Sequence, residues 1–102
     1  MKTREILTQE RLETLLREFK EQRGAEFDLT ALGYFGSYAR GEARPESDVD
    51  VVFETTRPNL WTTSIMKQDL EEWLDHSVDV IRLHRHMRPS FRKRLEREVV
   101  YV

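Results

Sequence analysis

At 102 residues, with 38% hydrophobic and 35% charged residues, the chain has the length and composition of one globular domain, residues 1–102, with a well-solvated surface. A formal net charge of −2 provides no global field toward nucleic acid or membranes, and the absence of cysteine excludes a disulfide framework and thiolate metal sites while agreeing with a reducing cytoplasm. Residues 1–5 lead into no apolar signal core, and no run approaches the length of a membrane span.

In chain order, residues 8–23 read as an amphipathic helix. Leu12, Leu15, Leu16 and Phe19 fall at helical spacing, Thr8 suits the N-cap and Gly24 the stop. Such a helix covers one side of a sheet. Residues 29–35 then read as a strand that delivers the chain to Gly36-Ser37. Ser37 suits an N-cap, so Tyr38-Ala39-Arg40 is predicted to open a short helix that Gly41 ends. Gly36 lets backbone approach a ligand closely, and a helix start offers free N–H groups and the positive end of a dipole. Ser37 adds a hydroxyl, and Arg40, about one turn on, has the reach for a phosphate oxygen. Together these groups make a phosphate seat. Taken alone, the simpler reading is a turn that starts a helix. Residues 42–47, with Pro45 inside, read as a loop, and Glu42 and Glu46 as its solvated acids.

Residues 47–54 are rich in β-branched side chains and alternate in polarity, which predicts a strand. Alternation puts Asp48 and Asp50 on one face and Val49, Val51 and Phe53 on the other, toward a core. Two carboxylates about 7 Å apart on one face repel each other unless a cation sits between them. Hard oxygen ligands on few protein positions suit Mg²⁺, which keeps waters and takes its other ligands from substrate phosphates. A lone Asp-x-Asp is as readily a solvated strand end.

Residues 55–59, with Pro58, form a linker. Residues 60–76 read as a second long helix with a broad apolar stripe, Leu60, Trp61, Ile65, Met66, Leu70, Trp73 and Leu74, and both tryptophans read as core or partner contacts, with the core preferred. Residues 77–83 read as a third strand. Asp79 is an acid inside it, where an isolated charge is costly. If this strand lies beside the aspartate strand, Asp79 joins the cluster. Otherwise it reaches water or an arginine. Residues 84–97 are basic, with Arg85, Arg88, Arg92, Lys93, Arg94 and Arg97, and after Pro89 they can form a helix with Phe91 and Leu95 on one face. A solvated face paired with Glu96 and Glu98 explains most of that charge. His84 and His86 stand two apart without a third ligand nearby, which does not make a metal site. Residues 99–102 are apolar and suit an edge strand.

The whole pattern, Gly36-Ser37, ten residues, then Asp48-Val49-Asp50, resembles the signature of the DNA polymerase β-like nucleotidyltransferase superfamily. The local forms Gly36-Ser37-Tyr38-Ala39-Arg40-Gly41 and Ser47-Asp48-Val49-Asp50 resemble its minimal nucleotidyltransferase (MNT) branch, and the likeness extends over nearly the whole chain. The resemblance implies an α/β (α+β) fold, a small mixed sheet flanked by helices around a polymerase β palm-like core. It implies Asp48, Asp50 and Asp79 as catalytic metal ligands, Asp79 also favouring deprotonation of an attacking hydroxyl. Gly36, Ser37 and Arg40 are then nucleotide-binding. Mg²⁺ is the implied cofactor, as a pair of ions, and ATP the implied substrate. The implied partner is a HEPN ribonuclease toxin, adenylylated on a tyrosine hydroxyl and so inactivated, with this chain as the antitoxin. Direct nucleic-acid or membrane binding is not expected. Two rival readings remain: an antitoxin that neutralises by binding alone, and a free-standing nucleotidyltransferase acting on a small molecule or an RNA end.

Overall fold

The computed structural model describes residues 7–102, and the reading of residues 1–5 lies outside them. The first helix, α1 (Gln9–Arg23), begins as its sequence predicts. Thr8 is the N-cap, and its hydroxyl accepts from the Arg11 N–H at 3.0 Å. Leu12, Leu16 and Phe19 are fully buried. Past Gly24 the chain makes a single 3-10 turn, Ala25–Phe27, and enters β1 (Leu29–Phe35).

The remaining elements are β2 (Val49–Thr55), α2 (Thr62–Leu74), β3 (Val78–Arg82), α3 (Pro89–Glu98) and β4 (Val100–Tyr101). The strands form one mixed sheet in the order β3-β2-β1-β4. β1 runs antiparallel to β2 and β4, and β2 runs parallel to β3. Alternation decides the two faces. Leu32, Tyr34, Val49, Val51, Phe53 and Val78 pack with the buried side chains of α1 and with Met66, Leu70 and Leu74 of α2. Val52, Phe35 and Ile81 lie on the opposite face, where Leu95 of α3 covers them with Leu83, Met87 and Val99. α3 therefore shares its face of the sheet with Asp50 and Asp79, whose Cα atoms are register partners across β2 and β3.

Three expectations for α2 are corrected. The helix starts at Thr62 rather than residue 60, because the Asn59 side-chain oxygen accepts from the Trp61 and Thr62 N–H groups at 2.8 and 3.0 Å. Its buried ridge is Thr62, Met66, Leu70 and Leu74, spaced by four. Leu60, Trp61 and Ile65 lie off that ridge and are exposed, Trp61 by 72%, so Trp61 is not a core residue. Trp73 packs against the core edge-on to Phe19, with its indole N–H donating to the Leu15 carbonyl at 2.9 Å. The helix also ends at Leu74, because Asp75 is left-handed at φ 53°.

β4 reaches β1 only because Gly33 has no side chain. A Cβ there would stand 2.7 Å from the Val100 carbonyl oxygen and 2.9 Å from Val99 Cγ2. Gly33→Ala is expected to push β4 off the sheet edge and lose roughly 1–3 kcal/mol of stability, read as a lower urea midpoint at unchanged slope.

Candidate active site

The C-terminal end of β1 and the N-terminal ends of β2 and β3 meet at one edge of the α3 face. Phe35 is opposite Asp50, and Asp50 is opposite Asp79. Parallel neighbours in register put Asp50 and Asp79 side by side, about 5 Å apart along the ladder. Asp48 immediately precedes β2, two residues from Asp50. Asp48 and Asp79 are exposed and Asp50 is half-buried. The cost of burying a lone acid, invoked from sequence for Asp79, therefore does not apply, and strand register is what sets Asp79 beside Asp50. Burial raises the Asp50 carboxyl above the ordinary aspartate range, and the charges of Asp79 and then Asp48 raise it further, against a smaller opposing pull from Arg40.

The predicted short helix after Gly36 is absent. Residues 36–41 form turns, held by Arg40 N–H to Gly36 O at 3.1 Å, Gly41 N–H to Tyr38 O at 3.4 Å and Glu42 N–H to Ser37 O at 2.8 Å. Positive φ at Gly36 (73°) and Gly41 (71°) brackets the segment and prevents it from propagating as a helix. Buried Tyr38 fastens it to the core. A phosphate seat here must therefore come from individual backbone and side-chain donors, without a helix dipole. Gly36 has a second reason to be glycine: a Cβ would strike Asp50 Oδ2 and stand 3.1 Å from Asp50 Cγ. The turn and the Asp50 carboxylate are packed directly together. Ser37 is half-buried beside them.

Arg40 is tied up by acids. Its guanidinium donates to Glu98 Oε1 at 2.5 Å and to Glu42 Oε2 at 3.2 Å, and Glu98 Oε1 also accepts from the Gly36 N–H at 3.0 Å. Glu98 was readable from sequence only as a partner for the basic helix face. Its link to Gly36 and Arg40 spans about sixty residues and leaves no local signal. A cleft of about 110 Å³ opens beside these contacts, lined by Phe35, Gly36, Arg40, Phe91, Arg94, Leu95 and Glu98. Most of the basic stretch is solvated as expected: Arg85, Arg88, Lys93 and Arg97 are exposed, and Arg92 pairs with Glu96 at 2.9 Å.

Among the described residues, no three Asp, Glu or His groups converge tightly enough to cage a metal ion by themselves. The donor set is open, purely oxygen and carries uncompensated negative charge. That fits a hard divalent cation that completes its shell with water and substrate oxygens better than a closed structural site.

Residues 12–102 match the family model for the nucleotidyltransferase domain. The chain belongs to this family. Among curated relatives, the protein adenylyltransferase MntA of Thermococcus cleftensis is 35% identical over 98 residues, 95% of this chain and 98% of its own. A solved structure provisionally described as a minimal nucleotidyltransferase superposes with a TM-score of 0.76 at 29% identity, covering 91% of this chain and 94% of that one. The fold also matches a chain from the complex of a tri-AMPylated Shewanella oneidensis HEPN toxin with an MNT antitoxin, with a TM-score of 0.58 at 19% identity, covering 91% and 66%. The mixed sheet with its three flanking helices is thus the minimal nucleotidyltransferase fold, and the chain is a homologue of MntA. No helix among the described residues is long and apolar enough to cross a membrane.

Proposed function

We propose that this nucleotidyltransferase transfers the adenylyl group of ATP to a hydroxyl of a partner protein, a tyrosine of a HEPN toxin, and acts as that toxin's antitoxin. The observation that carries the reading is the side-by-side register of Asp50 and Asp79, with Asp48 beside them, against the Gly36–Arg40 turn. The MntA relative, alike over almost the full length of both chains, supports protein adenylylation, and the AMPylated HEPN complex supports the acceptor and the antitoxin role. ATP and Mg²⁺ are available in the cytoplasm, where we expect the protein to act.

In this reading the Gly36 N–H, the Ser37 hydroxyl and the Arg40 guanidinium donate to phosphate oxygens of ATP. Asp48, Asp50 and Asp79 would hold Mg²⁺, which when bound neutralises triphosphate charge and lowers the pKa of the acceptor hydroxyl. Asp79, exposed at the sheet edge, is free to take the proton from that hydroxyl. The hydroxyl oxygen bonds to the α-phosphorus in line, the bond from that phosphorus to the bridging oxygen breaks, and pyrophosphate leaves. The protein contributes positioning and electrostatics rather than a covalent intermediate.

Intact mass spectrometry of the HEPN partner, incubated with this protein, ATP and Mg²⁺, is the direct test. Adenylate increments are expected with the native chain and absent with the Asp48→Asn, Asp50→Asn double variant. A stable complex without increments would leave binding alone as the mode of neutralisation. A second expectation follows from the shared charges: Mg²⁺ and ATP together should raise the melting temperature by more than the sum of their separate shifts. Simple additivity would argue against a joint site.

A further inference from the structure

We infer that Glu98 is a built-in competitor for the nucleotide phosphates, holding the Gly36 N–H and the Arg40 guanidinium in the free protein and releasing both when a polyphosphate arrives. The inference rests on the nucleotidyltransferase reading of this site and adds to it the group that sets its anion affinity. The Glu98 carboxylate makes the contacts a phosphate oxygen would make: a backbone N–H at 3.0 Å and a guanidinium at 2.5 Å on one oxygen, Oε1. Both donors therefore already carry an anionic partner, and an incoming phosphate must replace it.

The geometry allows only the side chain to leave. Glu98 is the last residue of α3, and the chain on either side is fixed. The Val99 N–H donates to the Leu95 carbonyl at 2.8 Å, β4 pairs with β1, and the Val102 N–H donates to the Leu32 carbonyl at 2.9 Å. A second resting place exists on the same helix. Arg94, four residues earlier, has its Nε 3.7 Å from Glu98 Oε2, beyond hydrogen-bond reach, and is 69% exposed. Rotation of the Glu98 side chain toward Arg94 exchanges one cation for another and opens the seat beside the cleft they both line. While it is seated, Glu98 joins Glu42 in neutralising Arg40, which stands close enough to Asp50 to influence its ionisation. Arg40 is thereby kept from settling among the aspartates, and the metal face stays open.

Binding of tripolyphosphate without metal, and of a non-hydrolysable ATP analogue with Mg²⁺, measured by calorimetry on the full chain, tests this. Glu98→Gln keeps the shape of the side chain but loses its charge, and is expected to bind both probes roughly fivefold more tightly than the native protein. Glu98→Asp, one methylene short of Gly36, keeps the charge and should show a smaller gain. It also serves if Glu98→Gln fails to fold by circular dichroism. In an Arg40→Gln background the gain should shrink to the part that comes from the Gly36 N–H, a coupling that a merely structural Glu98 would not produce. Unchanged or weaker binding by folded Glu98 variants, with the native protein binding normally, overturns the competitor and leaves the site reading standing. Failure of native and variant proteins alike to bind either probe overturns both.

Discussion

Asp50→Asn is expected to lower nucleotidyl transfer by at least about a hundredfold and, in the same molecule, to raise the melting temperature of the metal-free protein at neutral pH. The first effect follows from its position between Asp79 and the Gly36 turn, where it contributes a carboxylate oxygen to the proposed metal face. The second follows from the sign of its ionisation. Burial, then Asp79 and Asp48, raise the Asp50 carboxyl above its ordinary value of 3.8, so the folded state holds that proton more tightly than the unfolded chain does. A raised folded-state value contributes stability that is fully present below the unfolded value and is lost as pH rises through the folded one. At neutral pH the charged carboxylate is therefore a net cost to the apo protein, and the neutral amide removes it. The difference between native and variant should shrink as pH falls through the folded value, because the native carboxyl then protonates. Mg²⁺ should reverse the order by stabilising the native protein and not the variant. Scanning calorimetry of both proteins across pH, with and without Mg²⁺, checks every arm. A variant less stable than native at neutral pH without metal would show that the three carboxylates do not strain this edge of the sheet.

Most of what positions this edge was legible in the residues. Val49, Val51 and Phe53 alternate with Asp48 and Asp50, and alternation alone assigns the valines and the phenylalanine to the core and the acids to the other face. Asp79 is legible as a candidate from its strand, and the condition set for it, a strand beside the aspartate strand, is met: it lies exposed opposite Asp50. Helical periodicity failed at the start of α2 for a definable reason. Leu60, Trp61 and Ile65 fit a wide apolar stripe, yet Asn59 caps the helix two residues later than the apolar run begins, and the buried ridge is only one side chain wide. Ser37 suits an N-cap and so predicts a helix after Gly36, whereas the two positive φ values that break it are a property of the folded chain. The place of Glu98 beside the Gly36 turn leaves no signal in the sequence, which shows it only as a partner for the basic face of its own helix. Its partners lie 58 and 62 residues away, and the chain brings them together only when β4 docks on β1.

Gly36→Ala should be nearly as damaging to activity as loss of Asp50, for a reason that can be isolated. Alanine at φ 73° meets the left-handed penalty, about 1–2 kcal/mol. Its methyl group also lands on Asp50 Oδ2, so either the carboxylate rotates away from Asp79 or the turn lifts off the sheet. The turn is bound at both sides, through the Gly36 N–H to Glu98 and the Gly36 carbonyl to Arg40, so lifting it also disperses the anion contacts. Displacement of a reacting group by about 1 Å costs on the order of a hundredfold in rate, and that loss is expected at temperatures well below the melting point of the variant. Gly41→Ala provides the matched control. Gly41 has φ 71°, almost the same strained conformation, but nothing lies within 4 Å of the position its Cβ would take. It should lose comparable stability and keep activity within a few-fold of native. The contrast between the two variants, measured as turnover at a temperature where both are folded, separates backbone strain from the placement of Asp50. Equal losses of activity would mean that Gly36 serves the turn alone. A loss confined to Gly36→Ala would mean that the close approach of this turn to a carboxylate is what orders the proposed catalytic face.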